Sequence, residues 1–433
     1  MIVPFRRWSV AVATGVTVVL MLSTAASAHP FHPAPGRSLD PGTKFYAPAP
    51  VTGAAKQIQK LIADGQFRDA KLLLKMVSTP QGVWLESGTP RQVKHKVQHT
   101  VALAYAHHAV PIFVVYYVPG RDCAQYSAGG APTGHAYKAW INGIVAGLDD
   151  AKAVVIVEPD GLALLPTDCG QPDTYHRVSL INYAAHAFLG DPNAAIYLDA
   201  GHSAWHNVTD MASRLVAGGV LDVNGFYLDP SNYQFTKNET QFGTWISDCI
   251  ALGVPDCPNQ YWNGGPLPSL IAQTIGEWTG DALSRFGRWS DADTTVVNGQ
   301  MPFNTSGINQ RYTNMLADAA ATPTVHFVID TSRNGQGPWA GTNDHPYTNA
   351  DTQDWCNPPD RGLGPRPTAN TGVPLLDAYL WIKLPGASDG ECFRWTAGPL
   401  DPARNMADPA AGKWFPEMAL ELVHNAAPPL HVH

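Results

Sequence analysis

The chain has 433 residues, 45% of them hydrophobic and 15% charged, with 39 Gly, 37 Pro and 13 Trp. That composition excludes a disordered or fibrous protein and allows one large domain or two ordinary ones. A formal net charge of −8, with no Lys/Arg cluster, speaks against a nucleic-acid partner, which needs a basic surface.

The N-terminus reads as an export signal. Arg6 and Arg7 precede the apolar run VAVATGVTVVLML, and Ala26-Ser27-Ala28 offers an A-x-A cleavage site. Residues 1–28 are therefore expected to be removed from a secreted protein. No other stretch is long enough to span a bilayer, so no membrane association is expected after cleavage. Residues 29–50 are a Pro-rich lead-in, and 51–433 read as a single domain.

Two short amphipathic helices are expected within 55–76. Apolar runs then recur at 82–86, 110–119, 153–160, 194–201, 224–229, 324–330 and 377–383, with helix-like segments such as 137–150 and 177–190 between them. Alternating strands and helices predict an α/β fold with a parallel sheet, and seven such strands around one core favour a barrel. Residues 234–310 interrupt the pattern and read as an insertion. The six cysteines allow fifteen pairings. None has C-x-x-C zinc spacing, so disulfides are expected. Cys249 and Cys257 are placed to close a surface loop by a local disulfide.

The strand ends collect carboxylates. VVIVEPDG (154–161) is apolar without alternation, as in a strand buried on both faces, and Pro159 removes a ladder donor just before Asp160. VVYYVPGRDC (114–123) ends in Asp122 beside Arg121, IYLDAGH supplies Asp199 and His202, and LWIKLPGASDG (380–390) runs from Lys383 to Asp389. Single aspartates often only start turns. Several on different parallel strands converge on one rim, where ligands bind in α/β folds. Glycoside hydrolysis needs such a set: one carboxylic acid protonates the leaving oxygen, and a second carboxylate handles water or the anomeric carbon. Crowded carboxylates repel, so one of them keeps its proton. Trp205 and Trp355, in loops beyond strands, offer apolar faces to sugar C–H groups. Ordinary core packing accounts for Trp84 and Trp381.

The motifs YxxPxRDCA (116–124), IVEPDGLA (156–163), LDAGHSAW (198–205) and WIKLPGASDGEC (381–392) resemble glycoside hydrolase family 6. The likeness continues through SNY (231–233), DTSRNG (330–335), WCNPP (355–359) and DPAAGKWFPEMAL (408–420). The resemblance implies a distorted (β/α) barrel of about seven parallel strands, with a cleft at their C-terminal ends. The implied activity is hydrolysis of β-1,4-glucan with inversion. It assigns Asp160 as general acid, Asp122 as the carboxylate that keeps Asp160 protonated and holds the water chain, Tyr116 as the residue that crowds the sugar, and Asp389 as the base. Asp199, His202, Trp205, Asn232, Trp355 and Lys383 match sugar-binding positions, and Trp84 and Arg121 complete the substrate-binding candidates. The resemblance also pairs Cys123 with Cys169 and Cys356 with Cys392, leaving Cys249 for Cys257. No metal or organic cofactor is implied, and a monomer is expected.

Three departures stand out: Gly161 replaces a serine, Ala387 a glutamate and Asp229 an asparagine. The short stretches between Asp122 and Asp160 and after Asp389 favour an open-cleft endoglucanase over a tunnel-shaped cellobiohydrolase, unless 234–310 supplies a roof. Two readings from other classes are a copper-dependent polysaccharide oxygenase using His29 as mature N-terminus, and a carbohydrate-binding protein on an inactive scaffold. Pro30 and the lack of a strand pattern oppose the first, and the full set Asp122, Asp160 and Asp389 opposes the second. Sequons at Asn207, Asn238 and Asn304 hint at surface loops.

Overall fold

The computed structural model describes residues 37–255, 257–260, 283, 287–296, 301–339, 341, 353–394, 396 and 398–432. The expected signal peptide, His29 and part of 234–310 lie outside the described residues. All seven expected strands form: β1 (Val83–Leu85), β2 (Ile112–Val115), β3 (Ala153–Val157), β4 (Ala194–Asp199), β5 (Gly225–Leu228), β8 (His326–Asp330) and β9 (Leu376–Leu380). They make one sheet of order β1-β2-β3-β4-β5-β8-β9, parallel throughout. Between β5 and β8 in sequence, the short strands β6 (Trp289–Ser290) and β7 (Phe303–Asn304) pair with each other alone.

The unbroken apolar runs reflect burial on both faces. Phe113, Val115, Val155, Val157, Ile196 and Leu198 pack outward in the main core, while Ile112, Val114, Val154, Ile156 and Tyr197 fill the inside of the curl. Parallel neighbours need crossovers, which α3 (Pro90–Ala106), α4 (Gly134–Leu148), α5 (Arg177–Phe188) and α6 (Val208–Gly218) supply in turn. The start of α3 is set locally. Thr89 accepts from the Gln92 N–H at 3.3 Å, Gln92 accepts in return from the Thr89 N–H at 2.8 Å, and Pro90 opens the helix.

The curl comes close to closing. Among the described residues no ladder joins β1 to β9, but the Gly82 N–H donates to the Trp381 carbonyl at 2.8 Å and Trp84 Nε1 to the Ile382 carbonyl at 2.9 Å. A Cβ on Gly82 would lie 2.5 Å from the Ile382 oxygen, so only glycine permits this approach.

The expected insertion begins too early at 234. Helix α7 (Thr236–Leu252) buries Phe242, Trp245 and Ile246 in the main core. All three expected disulfides form. Cys249–Cys257 closes a local loop in which Gly253 and Pro255 are exposed, from cysteines that are themselves buried in that core. Asn238 is no surface sequon. It is fully buried in α7, where its side chain donates to the Gly287 carbonyl at 2.9 Å and accepts from the Trp289 N–H at 2.8 Å. Among the described residues no helix is long and apolar enough to cross a membrane.

Candidate active site

β2 ends sooner than its apolar run because of a residue that follows β3. Glu158, the residue after β3, is fully buried, and its Oε2 accepts from the N–H groups of Tyr117 at 2.8 Å and Val118 at 2.9 Å. Those donors serve a side chain instead of a ladder. The chain then turns through left-handed backbone at Glu158 (φ 52°) and Asp160 (φ 64°), while Asp122 has φ 56°. Such conformations are costly for residues with a Cβ and cluster at functional sites. Gly161 follows because the turn is tight: an added Cβ would stand 2.6 Å from the Glu158 carbonyl oxygen. A serine there would force the backbone to move.

This turn places Asp160 in a cavity of 1060 Å³ at the C-terminal ends of the strands, together with Tyr116 and Asp122. The Tyr116 hydroxyl donates to Asp160 Oδ2 at 3.3 Å. Burial pushes the Asp160 carboxyl above the ordinary carboxylate range, against the opposing pull of the Tyr116 hydroxyl and of Arg177, Lys383 and Arg121. Asp122 is pushed up to about 7 by burial and then by the Asp160 charge, although the Ser127 N–H donates to it at 2.5 Å. Arg121 stacks its guanidinium 4.4 Å from the Tyr116 ring centre and donates to the Tyr116 carbonyl and to the Ser127 carbonyl at 2.9 Å. Trp84 lines the cavity and meets Tyr116 edge to face at 5.4 Å, so it is not simply a core residue.

The remaining candidates divide. His202, Trp205, Asn232, Trp355 and Lys383 all line the cavity. Asn232 rides on a turn held by Asp229 and Ser231, with φ of 65° and 61°. Burial, with Glu239 and Asp330 beside it, pushes the Asp229 carboxyl well up. Asp199 does not reach the cavity as a sugar-binding residue. Its Oδ2 accepts from the N–H groups of Leu162 at 3.1 Å and Ala163 at 2.8 Å, and its Oδ1 from Gly201 at 3.2 Å. It braces the segment that follows Asp160.

Asp389 lines the cavity and is tied chiefly through one carboxylate oxygen. Its Oδ2 takes the Tyr233 hydroxyl at 2.8 Å, Arg333 at 3.0 Å and the Asn357 N–H at 3.1 Å, while Oδ1 pairs with Lys383 Nζ at 3.1 Å. Burial alone would raise it, but Arg333 and Lys383 hold it below the usual range. A carboxylate so tied is a weak proton acceptor, which counts against the base role expected of it. Sequence reading missed Glu158, Arg177, Tyr233, Arg333 and Asn357. Glu158 and Arg333 stand inside the quoted motifs EPD and SRNG, but nothing local marks them as buried charges.

The buried acids set a pH dependence of stability. Asp122, Glu158 and Asp199 are each raised to about 7, with burial the largest cause, from about 4 in an unfolded chain. The fold keeps protons that the unfolded chain sheds between those values. Stability therefore falls as pH rises through that window, by up to about 1.4 kcal/mol per pH unit for each titrating group. Asp389 acts oppositely: its contribution is present above about 4 and lost as pH falls below. Urea midpoints are expected to be higher at pH 5 than at pH 7.5. A midpoint that rises over that interval would contradict this picture.

Comparison with known proteins gives this arrangement a family. The model of "Glycosyl hydrolases family 6" matches residues 40–256 and 282–426, omitting 257–281 within the expected insertion. Endoglucanase A of Thermobispora bispora is 30% identical over 99% of this chain and 70% of its own length. A probable 1,4-beta-D-glucan cellobiohydrolase C of Aspergillus fumigatus is 32% identical over 73% of this chain and 62% of its own. Among solved structures, an endoglucanase from Mycobacterium tuberculosis, in complex with methyl-cellobiosyl-4-deoxy-4-thio-beta-D-cellobioside, is 31% identical with a TM-score of 0.62. That match covers 89% of this chain and 97% of the other. The seven-stranded curl, its acidic floor and these matches agree, and the chain belongs to glycoside hydrolase family 6.

Proposed function

We propose that this protein is a secreted endoglucanase that cuts internal β-1,4 bonds of cellulose or a related glucan with inversion. The observation that carries the reading is Asp160, raised by burial and bonded to Tyr116 beside a second raised carboxyl at Asp122. Asp160 protonates the leaving glycosidic oxygen, because a carboxyl that keeps its proton in a buried site can act as general acid. The carboxylate of Asp122, when ionised, disfavours loss of the Asp160 proton by like-charge repulsion and accepts hydrogen bonds from the attacking water's chain. Asp389 orients Lys383 toward the sugar instead of taking a proton itself. Trp84, Trp205 and Trp355 present ring faces along the cavity. Three disulfides accord with an oxidising compartment.

Mid-chain action is supported by likeness to endoglucanases over 99% of the chain and by the endoglucanase among its structural neighbours. The test is viscosity loss against new reducing ends on carboxymethylcellulose. A steep fall in viscosity per end is expected. Slow viscosity loss with cellobiose accumulating would make the protein a cellobiohydrolase, the second reading that the Aspergillus relative keeps in view.

A further inference from the structure

His206 follows Trp205 in the loop after β4 and is 9% exposed. Both of its ring nitrogens face oxygens. Nε2 lies 2.6 Å from the Ala163 carbonyl, and Nδ1 lies 2.8 Å from the Asp210 carboxylate. A carbonyl carries no hydrogen. Asp210 is a carboxylate independently of His206, because its other oxygen accepts from Arg214 Nε at 3.2 Å. A neutral imidazole has one N–H and one lone pair. Either tautomer would therefore aim a lone pair at an oxygen within hydrogen-bonding distance.

We infer that His206 is a doubly protonated imidazolium, and that this cation is the positioning residue for Trp205. The two rings stack with centroids 5.4 Å apart and planes 18° from parallel. A cation against an indole face is an attractive contact, and the ring's edge is fixed by two charge-assisted or short hydrogen bonds. The backbone beneath is fixed too, since Gln260 donates to the carbonyls of His206 at 2.8 Å and Ser203 at 3.1 Å. The other charged groups around the ring form one chain. Arg214 bonds Asp210 at 3.2 Å and Asp168 at 2.6 Å, and the ring of His202 lies 5.6 Å from that of Trp205 at a tilt.

The same ring grips the segment after Asp160. Ala163 gives its N–H to Asp199 and its carbonyl to His206. One imidazolium thus joins the wall of the cavity to the segment that carries the acid. Asp199 holds that segment independently, so loss of His206 falls mainly on Trp205.

The assignment of a sugar-binding role to Trp205 rests on the function proposed above, whereas the protonation state does not. The experiment has two readouts for that reason. Protein labelled with ¹⁵N-histidine is examined at pH 6.5, with His206→Phe identifying the resonances by their disappearance and Asp210→Asn identifying them by displacement if the first variant does not fold. Two N–H-type nitrogens are expected for His206, and a pyridine-type nitrogen would overturn the inference. In steady-state hydrolysis, His206→Phe keeps a stacked ring but no donor. Its KM is expected to rise roughly three- to tenfold, the scale of one lost hydrogen bond, with kcat within about twofold. An unchanged KM in a variant of unchanged thermal midpoint would refute the positioning role. Wild-type protein that cleaves no glucan would sink the proposed function and leave the NMR result to stand by itself.

Discussion

Replacing Asp160 with asparagine is expected to lower kcat on a β-1,4-glucan by about a thousandfold, while KM changes only a few-fold. General acid catalysis contributes about 10²–10⁴ in rate, and asparagine keeps the shape of the side chain while removing the transferable proton. Two neighbours of Asp160 give no substitute. Tyr116 already donates to Asp160, and burial pushes its own hydroxyl well above the ordinary range, so it does not release a proton near neutral pH. Glu158 has its Oε2 occupied by two backbone donors. A substrate whose leaving group departs as a stable anion needs no protonation. On a cellooligosaccharide with a dinitrophenyl leaving group, the same variant is expected to lose only about tenfold or less. Equal losses on both substrates would mean that Asp160 positions the sugar and does not protonate it. Asp122→Asn gives a different signature. Above about pH 7, where Asp122 is ionised, its charge opposes loss of the Asp160 proton. Removing it lets that proton leave more readily, so the alkaline limb of the rate profile moves to lower pH.

These expectations show what the sequence carries. The seven strands were legible because β-branched runs such as VVIV and IFVV leave no polar alternation, and a chain that buries both faces of a strand has few other options. Asp160 and Asp122 were legible because each sits just beyond such a run. The end of β2 was not, since it depends on Glu158 reaching across to Tyr117 and Val118, forty residues back in the chain. Asp199 misled for a similar reason. A carboxylate at a strand end looks the same in sequence whether it faces a ligand or three backbone donors. Nor could local pattern distinguish α7 from a loop, because its core-facing Phe242, Trp245 and Ile246 are set among Thr, Asn and Gly. The motif around Asp389 gave its place correctly but not its state, which is decided by Arg333, a residue 56 positions away.

That state leads to the second large effect. Asp389→Ala is expected to destabilise the fold by about 3–5 kcal/mol, because it leaves a buried cation without its counter-ion. Arg333 is fully buried and places its guanidinium 4.0 Å from the Tyr233 ring centre, and Lys383 pairs with the other carboxylate oxygen. Arg333 has no exposed surface, so it cannot turn to water without disturbing its surroundings. If the loss is that of an uncompensated charge, removing the charge recovers part of it. The double variant Asp389→Ala with Arg333→Met is therefore expected to unfold at a higher urea concentration than Asp389→Ala alone. A single-variant loss under about 1 kcal/mol would show that water reaches the pair. The same protein separates anchor from base in catalysis. In an inverting hydrolase, removing the base leaves an empty place beside the anomeric carbon, where an added anion such as azide can attack without deprotonation. Since Asp389 is held below the usual carboxylate range by two cations, azide is expected to restore nothing to Asp389→Ala. Appearance of an α-glycosyl azide would return Asp389 to the role of base, and the water would then no longer depend on the Asp122 side of the cavity.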